Sequence, residues 1–191
     1  MNKGRLEAFS DGVIAILITV MVLELTIPAD ASFAALKQVL PVFPPYALSF
    51  IFLGIYWNNH HHMLYATQRI NGKVLWANHH LLFWLSLVPF ATGWVSKTHS
   101  APLPTAVYGI IMMMSAIAYT ILLRTIIAQE GPDSKLAKAI GKDSKGYLSL
   151  ACYIISIPAA FINPWISDIL FILVALIWLI PDRRIESRLN H

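Results

Sequence analysis

Charge is scarce in this sequence. Asp, Glu, Lys and Arg together make up 13% of its 191 residues, where a soluble domain carries about 25%. So few charges could not cover the surface of a soluble protein of this size. Extended disorder is excluded as well, because it needs low hydrophobicity and high net charge, and hydrophobic residues here reach 57%. A single cysteine, Cys152, excludes a disulfide scaffold. The formal net charge of +4 is spread between apolar runs rather than gathered in one basic patch, so no nucleic-acid partner is expected. What is present instead is long apolar sequence, and it points to an all-α integral membrane protein embedded in a lipid bilayer.

A helix needs roughly 20 apolar residues to cross a bilayer. Six runs fit, at about 8–27, 45–66, 74–95, 106–127, 147–162 and 164–180. They leave no space for a separate soluble domain, so residues 1–191 read as one six-helix transmembrane domain. Pro89 and Pro158 fall inside runs and are expected to kink them. Pro164 suits a first helical position after Asn163. Lys and Arg set the orientation. With both termini in the cytoplasm, only Lys37 and Lys97 of the 14 basic residues face outward. The longest connection, Ala128 to Gly146, is then cytoplasmic; its stretch Ser134 to Ile140 is either a short surface helix or a solvated connector. Trp94, Trp165 and Trp178 suit interfacial aromatic belts. The N-terminus also loosely matches a cleaved signal peptide through Lys3, Arg5, the apolar run and Ala29-Asp30-Ala31, but the run is too long and carries Asp11.

The first run is the informative one. Acidic and basic side chains near the end of a membrane helix are costly unless paired or wet. At about 100° per residue, Ile16, Thr19, Val20 and Leu23 lie within roughly 60° of one direction, while Ser10 and Asp11 point about 120–140° away. One face is therefore apolar with a single threonine, and the polar motif turns into the protein. Taken by itself, such a stripe also fits ordinary helix packing or lipid contact. Arg5 falls near the stripe by angle; it either snorkels to the interface or bends towards Asp11. Glu24 lies about 80° off the stripe, near the outer end of the run.

The second and third runs carry His60, His61, His62, His79 and His80, together with Trp57, Trp76, Asn58, Asn59 and Asn78. Histidines ligate metals, but there is no C-x-x-C pair and no H-x-x-x-H face, and consecutive histidines point in different directions. No metal and no cofactor are therefore expected. Buried polar groups in a membrane need partners. Trp57, His60 or His61, and Asn78 can supply them to Ser10 and Asp11, which would fix the rotation of the first helix.

These residues carry a family resemblance. Arg5, Phe9, Ser10 and Asp11 stand in an R-x-x-x-F-S-D pattern that continues through Gly12-Val13-Ile14-Ala15-Ile16 and Thr19. Tyr56-Trp57 with His60-His61, Leu75-Trp76-Ala77-Asn78 and Leu87-Val88-Pro89-Phe90 follow in order. The sequence resembles the transmembrane protein 175 family, the lysosomal and endosomal potassium channels and their prokaryotic relatives. The resemblance covers the first 95 residues; beyond them it rests on hydropathy. It implies a channel rather than an enzyme: potassium-permeable, sodium less favoured, conducting passively. It implies a homotetramer of single-repeat chains in the cell membrane of a prokaryote, with the first helix lining the pore. By family position Ile16 would be the narrowest apolar ring and hydrophobic gate, Val20 and Leu23 further rings, and Thr19 a hydroxyl layer. The family often has leucine where this chain has Val20, which would leave that ring wider. No Thr-Val-Gly-Tyr-Gly loop is present, so a ring of backbone carbonyls is not the filter. The alternative is a histidine-dependent transporter of metal ions or protons.

Overall fold

The computed structural model describes residues 2–140 and 143–179. Within them every regular element is helical: α1 (Lys3–Leu23), α2 (Phe33–Val39), a 3-10 turn (Leu40–Val42), α3 (Phe43–Ala66), α4 (Gly72–Ser86), α5 (Val88–Lys97), α6 (Pro102–Glu130), α7 (Lys135–Ile140), α8 (Ser144–Ile162) and α9 (Pro164–Leu179). Five helical stretches are long and apolar enough to cross a bilayer, with α2 to α3 counted as one and α4 and α5 as another, and α9 is a shorter apolar helix. The sixth run's end at Ile180 lies outside the described residues, as do Lys142, Arg183, Arg184 and Arg188.

Local chemistry sets the ends. The Asn2 side chain accepts from the Gly4 N–H at 2.9 Å and starts α1, so the helix begins at Lys3 and not at Ala8. It stops at Leu23, with Glu24 as its C-cap, and not at Ile27. Hydropathy marks the apolar stretch of a helix, whereas capping marks its ends. Pro44 and Pro45 lie in the first turn of α3, where a missing N–H is harmless, and do not precede it. The third run is interrupted: Leu87 separates α4 from α5 just before Pro89, because proline has no N–H for the helical ladder. Helix α8 continues through Pro158. Asn71 caps α4 by accepting from the Val74 N–H at 3.0 Å. The short α7 takes up most of the Ser134–Ile140 stretch. Helix α2, unforeseen from hydropathy, is capped by Ser32. Beside it, Asp30 accepts from the Ser32 hydroxyl and N–H, which together hold its carboxyl below the usual range.

Helix α1 packs on α3, α4 and α5; α4 and α5 pack on α6; α6 packs on α8, and α8 on α9. The core between them is apolar, with Leu53, Leu64, Leu81, Leu85, Met112, Leu122 and Ile126 fully buried. Close approach of α6, α8 and α9 depends on small residues. A Cβ on Gly109 would meet Ser156 Oγ at 3.0 Å and Phe171 at 3.4 Å. The Thr92, Ser49 and Tyr108 hydroxyls join α5, α3 and α6 through contacts of 2.7 and 3.0 Å, satisfying polar groups that the core would otherwise strand.

Candidate functional site

Two opposite stripes divide α1. Leu6, Ser10, Ile14, Leu17 and Met21 recur at helical spacing and are buried. On the other side Arg5, Phe9, Gly12, Ile16, Thr19, Val20 and Leu23 are exposed. Ile16 is 60% exposed and Leu23 79%. Apolar side chains are thus left uncovered by their own chain along one continuous strip. Thr19 is part of it, and its hydroxyl donates to the Ile16 carbonyl at 2.8 Å. The proton is therefore committed to the backbone, and the oxygen lone pairs are free to accept from water or to face a cation.

The rotation that uncovers this strip is held by polar contacts on the other side. Helices α1 and α3 run antiparallel, and their partners change by one turn on each. The Lys3 ammonium donates to the Tyr65 carbonyl at 3.0 Å. Glu7 stands 3.7 Å from His61 Nδ1. Trp57 Nε1 donates to Asp11 Oδ1 at 3.0 Å. Residue numbers rise by four on α1 while they fall by four on α3, which is the signature of two facing i, i+4 stripes. The rings of Trp57 and His61 stack with centroids 5.9 Å apart, closing this side of the ladder.

Helix α4 adds a second, fully buried connection. His60 Nε2 lies 2.7 Å from Asn78 Oδ1. Asn78 Nδ2 donates to Ser10 Oγ at 2.9 Å, and Ser10 donates to the Leu6 carbonyl at 2.8 Å. His60, Asn78 and Ser10 are each 0% exposed. The chain of donors assigns the His60 proton to Nε2 and leaves Nδ1 without a partner among the described residues. At the surface Phe9 stacks on His79, with centroids 5.5 Å apart.

The expected residues thus divide. Ser10, Asp11, Trp57, His60, His61 and Asn78 are brought together around α1. Arg5 is exposed and makes no ion pair with Asp11 within the chain. Glu24 is not a bare carboxylate: Lys97 of α5 donates to Oε2 at 3.1 Å, and Gly93 gives it room, since a Cβ there would meet Oε2 at 2.8 Å. Sequence reasoning missed Glu7, Lys3 and Lys97. The first two lie one and two turns before Asp11, a spacing that could have revealed them.

The motif-bearing region, residues 5–89, matches the family described as "Endosomal/lysosomal potassium channel TMEM175". Over 191 residues the chain is 56% identical to a potassium channel of Chryseobacterium sp. (strain P1-3), with 100% of both proteins covered.

This chain belongs to the TMEM175 potassium channel family.

It is also 29% identical over 181 residues to a potassium channel of Chamaesiphon minutus, covering 87% of this chain and 88% of that protein. Its fold matches the crystal structure of a lysosomal potassium-selective channel TMEM175 homolog from Chamaesiphon minutus. The TM-score is 0.80 at 26% identity, over 94% of this chain and 97% of that one. Apart from Lys3 and Lys97, the residues that make the polar contacts around α1 lie in the region that matches this family. As a TMEM175 channel, the chain is a multi-pass membrane protein and not an enzyme.

Proposed function

We propose that four copies of this chain assemble around α1 and conduct potassium passively across the cell membrane of a prokaryote. Each chain forms one domain of six crossings, the sixth being α9, with both termini in the cytoplasm. That orientation leaves only Lys37 and Lys97 of the basic residues outside, in keeping with the preference of Lys and Arg for the cytoplasmic side. The observation that carries the reading is the strip on α1, which is apolar, uncovered and held in a fixed rotation by the buried contacts behind it. Four such strips enclose a narrow apolar path that can dewet and close. Ile16 forms the tightest ring, Val20 and Leu23 form wider ones, and the Thr19 oxygens offer a cation weak, transient coordination. Potassium is favoured over sodium because its hydration shell is easier to strip in such a passage. Glu24 stands at the outer mouth, with its field reduced by Lys97.

An exposed aromatic ridge beside α1 supports assembly. Trp76, Phe83 and Phe90 are 78%, 55% and 60% exposed, and His79, between Trp76 and Phe83, stacks on Phe9 of α1. A neighbouring subunit would cover this ridge. Among the described residues no three His, Cys, Asp or Glu side chains converge, so nothing favours the histidine-based transporter as a second reading.

The test is flux in liposomes under potassium and sodium gradients, for the wild type and Ile16→Asn. Potassium flux should exceed sodium flux, and the variant, whose ring can hold water, should be several-fold faster. Absence of potassium flux in both proteins would reject the channel reading.

A further inference from the structure

On the side of the subunit away from α1, helices α3, α6, α8 and α9 do not close on one another. They surround a cavity of about 330 Å³, within the range of pockets that hold small ligands. Its inner end is deep: Phe52 and Tyr153 are each 2% exposed. Its walls are mostly carbon, supplied by residues such as Ile117, Leu150 and Val174. Some polar groups along the wall are already paired. Trp178 Nε1 donates to Ser149 Oγ at 2.8 Å, and Ser149 donates to the Lys145 carbonyl at 2.8 Å.

The open end has a different character. Arg124 and Tyr147 stand there, both exposed, with Arg124 Nη2 donating to the Tyr147 oxygen at 3.1 Å. Arg124 forms no ion pair with any described carboxylate. The Lys145 ammonium lies over the Trp178 ring, 6.0 Å from its centroid. The nearby acid, Asp143, spends Oδ1 on the Gly146 N–H at 2.9 Å, capping α8. Cationic and aromatic side chains at the mouth of an apolar cavity match the boundary between acyl chains and head groups. Ile121 and Leu148, 42% and 52% exposed, flank this end with apolar surface, so a chain can enter from the bilayer without crossing water.

We propose that this cavity binds one acyl chain of an anionic membrane lipid, whose head group rests on the Arg124 guanidinium. Arginine suits the role because its planar fork meets a phosphate with two donors. The assignment is independent of conduction, and binding alone tests it.

The experiment uses the full chain in detergent, exchanged with phosphatidylglycerol or phosphatidylcholine of the same acyl composition and read by native mass spectrometry. The wild type should retain phosphatidylglycerol about tenfold better, the effect of one charge-assisted contact. Arg124→Gln should remove that preference and leave phosphatidylcholine retention unchanged. Ala116→Phe, or Thr120→Phe one turn on, should lower retention of both lipids by filling the cavity. Phosphatidylglycerol with a diazirine in its acyl chain should label peptides of α6 and α8. Equal retention of the two lipids by the wild type would overturn the proposal. So would labelling confined to other helices, or retention undiminished in a folded cavity-filled variant.

Discussion

The two ends of α1 are held by different chemistry. At its start, four neighbouring contacts share the load: Asn78 with Ser10, Trp57 with Asp11, His61 with Glu7 and Tyr65 with Lys3. One of these is fully buried and extends to His60. At its finish, Met21 is buried, and the polar attachment is the Glu24–Lys97 pair, with side chains 40% and 66% exposed. A buried hydrogen bond in apolar surroundings has no water to replace a lost partner, whereas an exposed ion pair contributes only about 0–1 kcal/mol. The polar contacts that orient this helix are concentrated at one end, and the polar attachment at the other is exposed to ions and salt.

The ladder at the start of α1 is cut at Asp11. Asp11→Ala removes the acceptor of Trp57 and one rung of the ladder. Loss of a conducting tetramer is the expected outcome, followed by light scattering and liposome flux. A stable, fully conducting tetramer would show that the start of α1 is not what holds it.

Asn78→Ala should come next. It leaves the His60 Nε2–H without an acceptor and the Ser10 oxygen without the donor it had in Asn78, at about 1–3 kcal/mol for a buried group. The unfolding midpoint in detergent should fall accordingly, while Glu7→Gln, at the partly exposed rung, should move it much less. Equal shifts in the two variants would erase the distinction between buried and exposed contacts.

The smallest effect belongs to the far end, where it has a sign. Glu24→Gln should lower potassium conductance at low salt, and Lys97→Gln, which uncovers the Glu24 charge, should raise it. Both changes should shrink as salt rises, because the Debye length falls to about 8 Å at 0.15 M. No change in either variant at low salt would remove Glu24 from the proposed conduction path.

Much of this is legible in the sequence. Apolar runs mark the long helices because each must cover about 30 Å of hydrocarbon. The break at Leu87 follows from Pro89. The inward turn of Ser10 and Asp11 follows from their angle to Ile16. Angles within one helix cannot name partners on another, so His61 could not be told from His60. The structure separates them, with His60 facing Asn78 and His61 facing Glu7. The Glu24–Lys97 pair and the α3/α6/α8/α9 cavity were not legible at all. Each joins segments far apart in sequence, and nothing in either segment alone records the other. Hydropathy starts α1 too late because Lys3, Arg5 and Glu7 depress it locally while fitting a helix well.

The stepwise pairing of α1 with α3 has a consequence for how this sequence can vary in length. Lys3, Glu7 and Asp11 meet Tyr65, His61 and Trp57 only while the two helices keep count with each other. Deleting one residue between Asp11 and Ile16 would turn the first part of α1 by about 100° and slide it by about 1.5 Å relative to the rest. Either the three rungs would be lost together or the Ile16 strip would swing away from the proposed pore axis. Away from its contact residues, the stretch from Lys3 to Ile16 therefore tolerates exchange of letters far better than a change in their number, and insertions should collect in the connections instead.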